Sequence, residues 1–145
     1  MGRSMNNWPQ LTTGLNTLLR DLRGGAPAIM KAFAGMAQAA TASKALDAKT
    51  KELIALAIAV AVRCDDCIAF HAKAAVAQGA TRDEVSETLG MAIYMGAGPS
   101  VMYASHALEA FTQFKALKPA DDEKRSIDTA DRVSDGWKAI RPHAV

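Results

Sequence analysis

Apolar residues recur at three- and four-residue intervals along this chain and nowhere alternate with polar ones at period two, so the pattern predicts helices and no strands. Leu11, Leu15, Leu18, Leu19 and Leu22 form the first stripe. It predicts an amphipathic helix that stops at Gly24-Gly25 and covers the core or a neighbouring subunit. Pro27 suits the first position of a second helix, AIMKAFAGMAQAA, whose Met30, Phe33, Met36 and Ala40 line up as a stripe read as core. Asp47 is placed to cap a third helix that carries Glu52 and the apolar run from Leu53 to Val62. A fourth runs from about Asp65 to Gln78, with Gly79 as its stop. Thr81 followed by Glu84 is a capping box, which opens a fifth helix to about Met95. Gly96, Gly98 and Pro99 then mark a break, and Pro99 opens a sixth helix to about Leu117. The expected class is all-α, a domain of about six helices in which the third and fourth form an antiparallel pair.

Composition sharpens this outline. Hydrophobic residues make up 50% of the 145 positions but aromatics only 6%, so the apolar side chains are mainly small, as closely packed helices require. Three regions are expected: an amphipathic N-terminal helix over 1–25, a helical core over 26–117, and a polar tail over 118–145. That tail has few apolar residues beyond Ile127, Val133, Trp137 and Ile140, and Trp137 is a candidate for docking on another subunit. Net charge is +2, from 17 basic and 15 acidic residues with no basic stripe, which argues against nucleic acid as a partner. The apolar run Leu53–Val62 is too short to span a bilayer, so no membrane association is expected. Met1 to Gln10 lacks the apolar core of a leader, and two cysteines do not make a disulfide framework. The expected compartment is the cytoplasm.

The candidate chemistry lies in ELIALAIAVAVRCDDCIAFH, from Glu52 to His71. Cys67 and His71 are four apart and share a helix face. Cys64 is three before Cys67 and shares it too if the helix begins at the pair, which brings the two sulfurs within disulfide reach. Glu52 precedes Cys64 by twelve positions, about 18 Å along one unbroken helix at 1.5 Å per residue. A turn near Val62 to Asp65 changes that: the chain returns antiparallel, Glu52 and His71 lie at similar depth on facing helices, and the carboxylate can orient the imidazole. A thiol at a helix N-terminus beside a histidine is favoured as thiolate. Asp65 and Asp66 oppose it by repulsion, which makes Cys67, nearer His71, the better nucleophile and Cys64 its resolving partner.

The pattern Glu52, Cys64, Cys67 and His71, followed by GMAIYMGAGPSVMYASHALEAF over residues 90–111, resembles the alkylhydroperoxidase D-like branch of the carboxymuconolactone decarboxylase family, over roughly Pro27 to Phe114. The resemblance implies an all-helical fold that assembles as a homotrimer or homohexamer. It implies that Cys67 attacks a hydroperoxide, Cys64 closes the disulfide, and Glu52 and His71 relay protons. No bound cofactor is implied; a dihydrolipoyl group, on a protein or as another small dithiol, re-reduces the pair. The chain departs from some members at Asp66, where they carry a histidine before the second cysteine.

Other readings of the same residues stay open. The pair could be two small buried side chains or half of a zinc site, although structural zinc usually takes four such ligands. A thioredoxin-like site would follow a strand, and none is predicted. Glu52 alone reads as a solvent-facing residue near Lys49 and Lys51, and His71 alone as a core histidine. His106, Tyr94 and Tyr103 line the same pocket if the sixth helix packs over the fourth. Met91, Met95 and Met102 read as core or subunit contact. Besides a thiol peroxidase, the candidates are a lactone-handling decarboxylase, which needs no redox pair, and a non-catalytic redox sensor.

Overall fold

The computed structural model describes residues 5–118, and every regular element within them is a helix. In order these are α1 Trp8–Gly25, α2 Pro27–Thr41, α3 Ala48–Ala61, α4 Asp65–Ala77 and α5 Arg82–Leu117. The class is all-α as expected, with five helices in place of about six. The expected fifth and sixth are one element, and the anticipated break survives inside it as a kink. Ala97 leaves helical geometry at φ 50° and ψ −141°, between Gly96 and Gly98 and two residues before Pro99. A Cβ on Gly96 would collide with the Ser100 hydroxyl, so a larger residue there would require that side chain to shift. The polar stretch 119–145, with Trp137, lies outside the described residues.

Helix starts follow their local chemistry. The Asn7 side chain accepts from the Gln10 amide ahead of α1, and Asp47 accepts from the Thr50 amide at 2.7 Å ahead of α3. At α5, Thr81 Oγ1 accepts from the Glu84 amide while Glu84 Oε2 accepts from the Thr81 amide, which closes the predicted box. Two helices end alike. At α4, Ala80 N–H donates to Ala75 O and Gly79 N–H to Val76 O, with Gly79 left-handed at φ 77°. At α3, Cys64 N–H donates to Ala59 O and Arg63 N–H to Val60 O, with Arg63 left-handed at φ 60°. A side chain at that position costs about 1 kcal/mol. The same tight ending turns the chain back so that α4 begins at the next residue but one.

The core lies where α3, α4 and α5 pack on one another, with α1 laid against α4 and α5. Ala59, Ala69, Ala72, Ala75, Ala104, Ala107 and Ala110 are buried at these contacts, between larger side chains such as Leu56, Val60, Ile68, Val85 and Phe111. Small side chains let helix backbones approach closely and the large ones fill the remainder. From α1 the buried residues are Trp8 and Thr12; Leu18 and Leu22, from the expected stripe, are exposed. A clasp fastens this end. Trp8 Nε1 donates to Glu109 Oε2, Met5 N–H to Glu109 Oε1 and Trp8 N–H to Gln113 Oε1, each at 2.9 Å, and Gln113 Nε2 donates to Asn6 O at 2.8 Å.

The reading of α2 as core requires correction. No residue of α2 is buried, and Phe33 and Met36 are 57% and 62% exposed. The apolar period is real, but among the described helices α2 touches only α1 and α3, and lightly, so its stripe is not covered by the described residues. No described helix is long and apolar enough to cross a membrane.

Lys49 on α3 reaches Glu84 at the start of α5, Nζ to Oε1 2.6 Å. The Lys49 ammonium, then the Thr81 amide, hold the Glu84 carboxyl below its usual range, and Glu84 in turn raises Lys49. The Glu84 contribution is therefore fully present above about pH 4.3, the ordinary glutamate value, and is lost as pH falls through its lowered folded value. The Lys49 contribution is present below about pH 10.4 and is lost as pH rises through its raised folded value. Both side chains are about one-third exposed, so solvent weakens the pair and the cap dominates. Glu84→Ala is expected to lower stability by about 1 kcal/mol at pH 7, with the difference from the parent shrinking near pH 3, read by denaturant unfolding at both pH values. An equal loss at both would mean that the carboxylate charge is not what the site uses.

Candidate redox site at the turn between α3 and α4

The corner between α3 and α4 assembles the site. Because α3 ends at once in a left-handed residue, Cys64 both completes the capping of α3 and stands as the N-cap of α4. Its Sγ accepts the Cys67 amide at 3.2 Å, the place that a Ser or Asp oxygen usually takes. Cys64 and Cys67 are joined as a disulfide, with Cα atoms 5.2 Å apart, so the structure is of the oxidised form. Both cysteines are half-buried, and Cys67 packs at the edge of the core.

The expected antiparallel return is present. His71 Nδ1 lies 2.8 Å from Glu52 Oε2, α4 to α3. Glu52 is 8% exposed, so its carboxylate sits in the packed interior facing the imidazole and is not a solvent-facing residue beside Lys49 and Lys51. An ionised carboxylate has only acceptors, so Nδ1 donates, and the neutral ring then keeps its lone pair on Nε2. His71 is thus held in one tautomer, one turn beyond Cys67. An imidazole with its lone pair on Nε2 can accept a proton there and give it back.

Of the three outlying candidates, two come to the site's flank. His106 Nδ1 lies 2.9 Å from Asp65 Oδ1, so α5 does pack over the start of α4, and the Tyr103 ring stands 5.2 Å from the imidazole. Trp8 also stands near His106, ring centroids 6.0 Å apart. Tyr94 does not join them. It is 78% exposed, as are Met91, Met95 and Met102 to a smaller degree. Sequence reading missed the Asp65–His106 contact, which spans 41 positions, and missed Cys64 as a cap, for which the signal was a residue with an acceptor atom three before an amide at a helix start. Among the described residues no three His, Cys, Asp or Glu side chains converge as a metal site would need.

Comparison with known proteins agrees with this arrangement. An uncharacterised protein of Cupriavidus necator is 45% identical over 113 residues, covering 73% of this chain and all of the relative. One of Haemophilus influenzae is 40% identical over 110 residues, 76% of this chain and 97% of the relative. Among solved structures, the apo form of a carboxymuconolactone decarboxylase family protein from Legionella pneumophila is 53% identical with a TM-score of 0.73, covering 74% of this chain and 96% of that one. A member of the same family from Thermotoga maritima, for which a part in the antioxidative response has been suggested, is 27% identical with a TM-score of 0.67, covering 74% of this chain and 92% of that one. The model of the carboxymuconolactone decarboxylase family matches residues 27–110, more than half the length, and includes Glu52, both cysteines, His71 and His106. This chain belongs to the carboxymuconolactone decarboxylase family.

Proposed function

We propose that the protein is a thiol-dependent peroxidase that reduces hydroperoxides through Cys64 and Cys67 and is recycled by a dithiol. The observation that carries the reading is the Glu52–His71 bond on facing helices beside a cysteine pair able to close a disulfide. In the reduced enzyme His71 takes the Cys67 proton, and the thiolate attacks the terminal oxygen of ROOH. The S–O bond forms as the O–O bond breaks, Cys67 becomes a sulfenic acid, and the alkoxide leaves as ROH with the proton from His71. Cys64 then attacks the Cys67 sulfur, the S–S bond forms, and hydroxide leaves to become water. A dihydrolipoyl-type dithiol, free or protein-borne, reduces the disulfide by exchange and is itself oxidised to a disulfide.

Self-association belongs to the same proposal. Ile29, Phe33 and Met36 on α2, Leu18 and Leu22 on α1, and Tyr94 and Met95 on α5 are exposed apolar side chains. Such area on one chain is usually covered by another, and a homotrimer or homohexamer in the cytoplasm is the assembly proposed.

The test is thiol counting on the reduced protein before and after one equivalent of an organic hydroperoxide, with steady-state peroxide loss measured with and without a dihydrolipoyl donor. Both thiols are expected to disappear into an internal disulfide, and turnover to require the donor. Disulfide formation without donor-dependent turnover would favour the sensor reading. Two unreacted thiols would end the peroxidase reading.

A further inference from the structure

A second histidine–carboxylate pair borders the cysteines, and the mechanism above does not use it. Asp65 follows Cys64 directly and occupies the first position of α4, with His106 Nδ1 from α5 at 2.9 Å from its Oδ1. Two other rings stand near the imidazole, Trp8 of α1 and Tyr103 one turn earlier on α5. Trp8 is wholly buried and its indole N–H is fixed on Glu109, so the imidazole stands on a rigid support. The two pairs stand at different points of α4: His71, bound to Glu52, follows Cys67 by one helical turn, while Asp65, bound to His106, follows Cys64 directly at the cap.

The charges around Cys64 make such a pair matter. Its sulfur accepts the Cys67 amide at the helix start, which favours negative charge there. Asp65 beside it and the exposed Asp66 oppose that charge. Arg63 before it is exposed to solvent. Facing His106, α4 brings Asp65, α5 brings Tyr103 and, one turn on, Glu109, and α1 brings the uncharged Trp8 indole. Glu109 is occupied by the Trp8 indole and the Met5 amide. Of the two acids that follow Cys64, Asp66 is exposed, and Asp65, next to Cys64 in the chain, is the one that His106 binds.

We propose that His106 is a positioning residue for Cys64. By drawing the Asp65 carboxylate into a hydrogen bond and offsetting its charge, it keeps a Cys64 thiolate accessible near neutral pH. Cys64 is then ready to attack the Cys67 sulfenic sulfur, and it is a good leaving group when an incoming dithiol attacks Cys67. The catalytic consequence rests on the peroxidase reading, but the effect on the thiol does not.

The experiment follows that separation. Cys64 is left as the sole cysteine in a Cys67→Ser chain, and its rate of alkylation by iodoacetamide is followed against pH, with no peroxide present. Asp65→Asn is expected to move the midpoint of that profile down and His106→Gln to move it up, each on the order of one pH unit. His106→Gln added to Asp65→Asn is expected to produce no further upward movement, because the histidine acts through the carboxylate. An unmoved midpoint in His106→Gln, or the same upward movement whether or not Asp65 is present, overturns the proposal. Helix content by circular dichroism accompanies each profile. Should His106→Gln not fold, the milder Asp65→Asn decides alone, and a midpoint that fails to fall rejects the proposal. Absence of peroxidase activity in the parent chain that keeps both cysteines, with the alkylation profiles as expected, would fault the peroxidase reading and leave this inference standing.

Discussion

Replacing Cys67 by Ser is expected to reduce hydroperoxide turnover to the uncatalysed rate while leaving thermal unfolding within a few degrees of the reduced parent. A serine hydroxyl is nearly isosteric with the thiol but does not ionise near neutral pH, and it cannot carry the sulfenic acid through which oxygen is transferred. The fold does not depend on this sulfur. Cys67 is half-buried at the edge of the core, and the cap of α4 uses its amide, which serine retains. The parallel Cys64→Ser chain is expected to react once and stop, with sulfenic acid trapped on Cys67 by a dimedone-type reagent and found by mass. If instead Cys67→Ser reacts once, with the sulfenic acid trapped on Cys64, and Cys64→Ser does not react, the two cysteines have exchanged roles. The capping bond at Cys64 makes that the outcome to look for first.

The second large effect concerns Glu52. Glu52→Gln keeps size and an acceptor oxygen but removes the charge that fixes His71 as an Nδ1–H donor, 2.8 Å away. An amide can present N–H to Nδ1 as readily as oxygen, which allows the tautomer with Nε2 protonated, the wrong one for accepting a thiol proton. The rate of peroxide reduction near neutral pH is expected to fall by about 10²-fold, at the low end of what positioned acid–base catalysis supplies. The loss is expected to shrink at high pH, where the thiol ionises unaided. A pH–rate profile parallel to the parent's would mean that Glu52 serves packing alone. Glu52→Ala is the poorer probe, since it leaves the largely buried Glu52 position empty and the imidazole without a partner.

Legibility in the sequence divided along the distance that a signal has to travel. Asp47, Thr81 with Glu84, and Gly79 act within five residues of themselves, and the helix ends that they predict are present. The corner at Arg63 and Cys64 could be inferred only by supposing that Glu52 and His71 belong together, since nothing local marks Arg63 for a left-handed conformation that favours glycine. Apolar period says that a helix has a face to cover, not what covers it. Met30, Phe33 and Met36 therefore looked like Leu56 and Val60 in pattern, and only the folded chain separates them. The Asp65–His106 contact and the burial of Trp8 against α5 depend on where helices far apart in sequence come to rest, which periodicity does not encode. The kink lay between the two cases. Its glycines and proline are visible in the sequence, but they mark equally an end with a new start and a bend after which the helix resumes at once.

The clasp between the first residues of α1 and the far part of α5 sets an order on events during synthesis of the chain. Glu52 and His71 are 19 positions apart on a helical hairpin, and they can meet as soon as α4 has left the ribosome. Trp8 must wait for Glu109 and Gln113, 101 and 105 positions later, before its indole and amide find their acceptors. Until then His106 lacks the ring that backs it. The nascent chain therefore possesses the pair that serves Cys67 before it possesses the one beside Cys64, and a ribosome stalled before residue 106 holds half of the site.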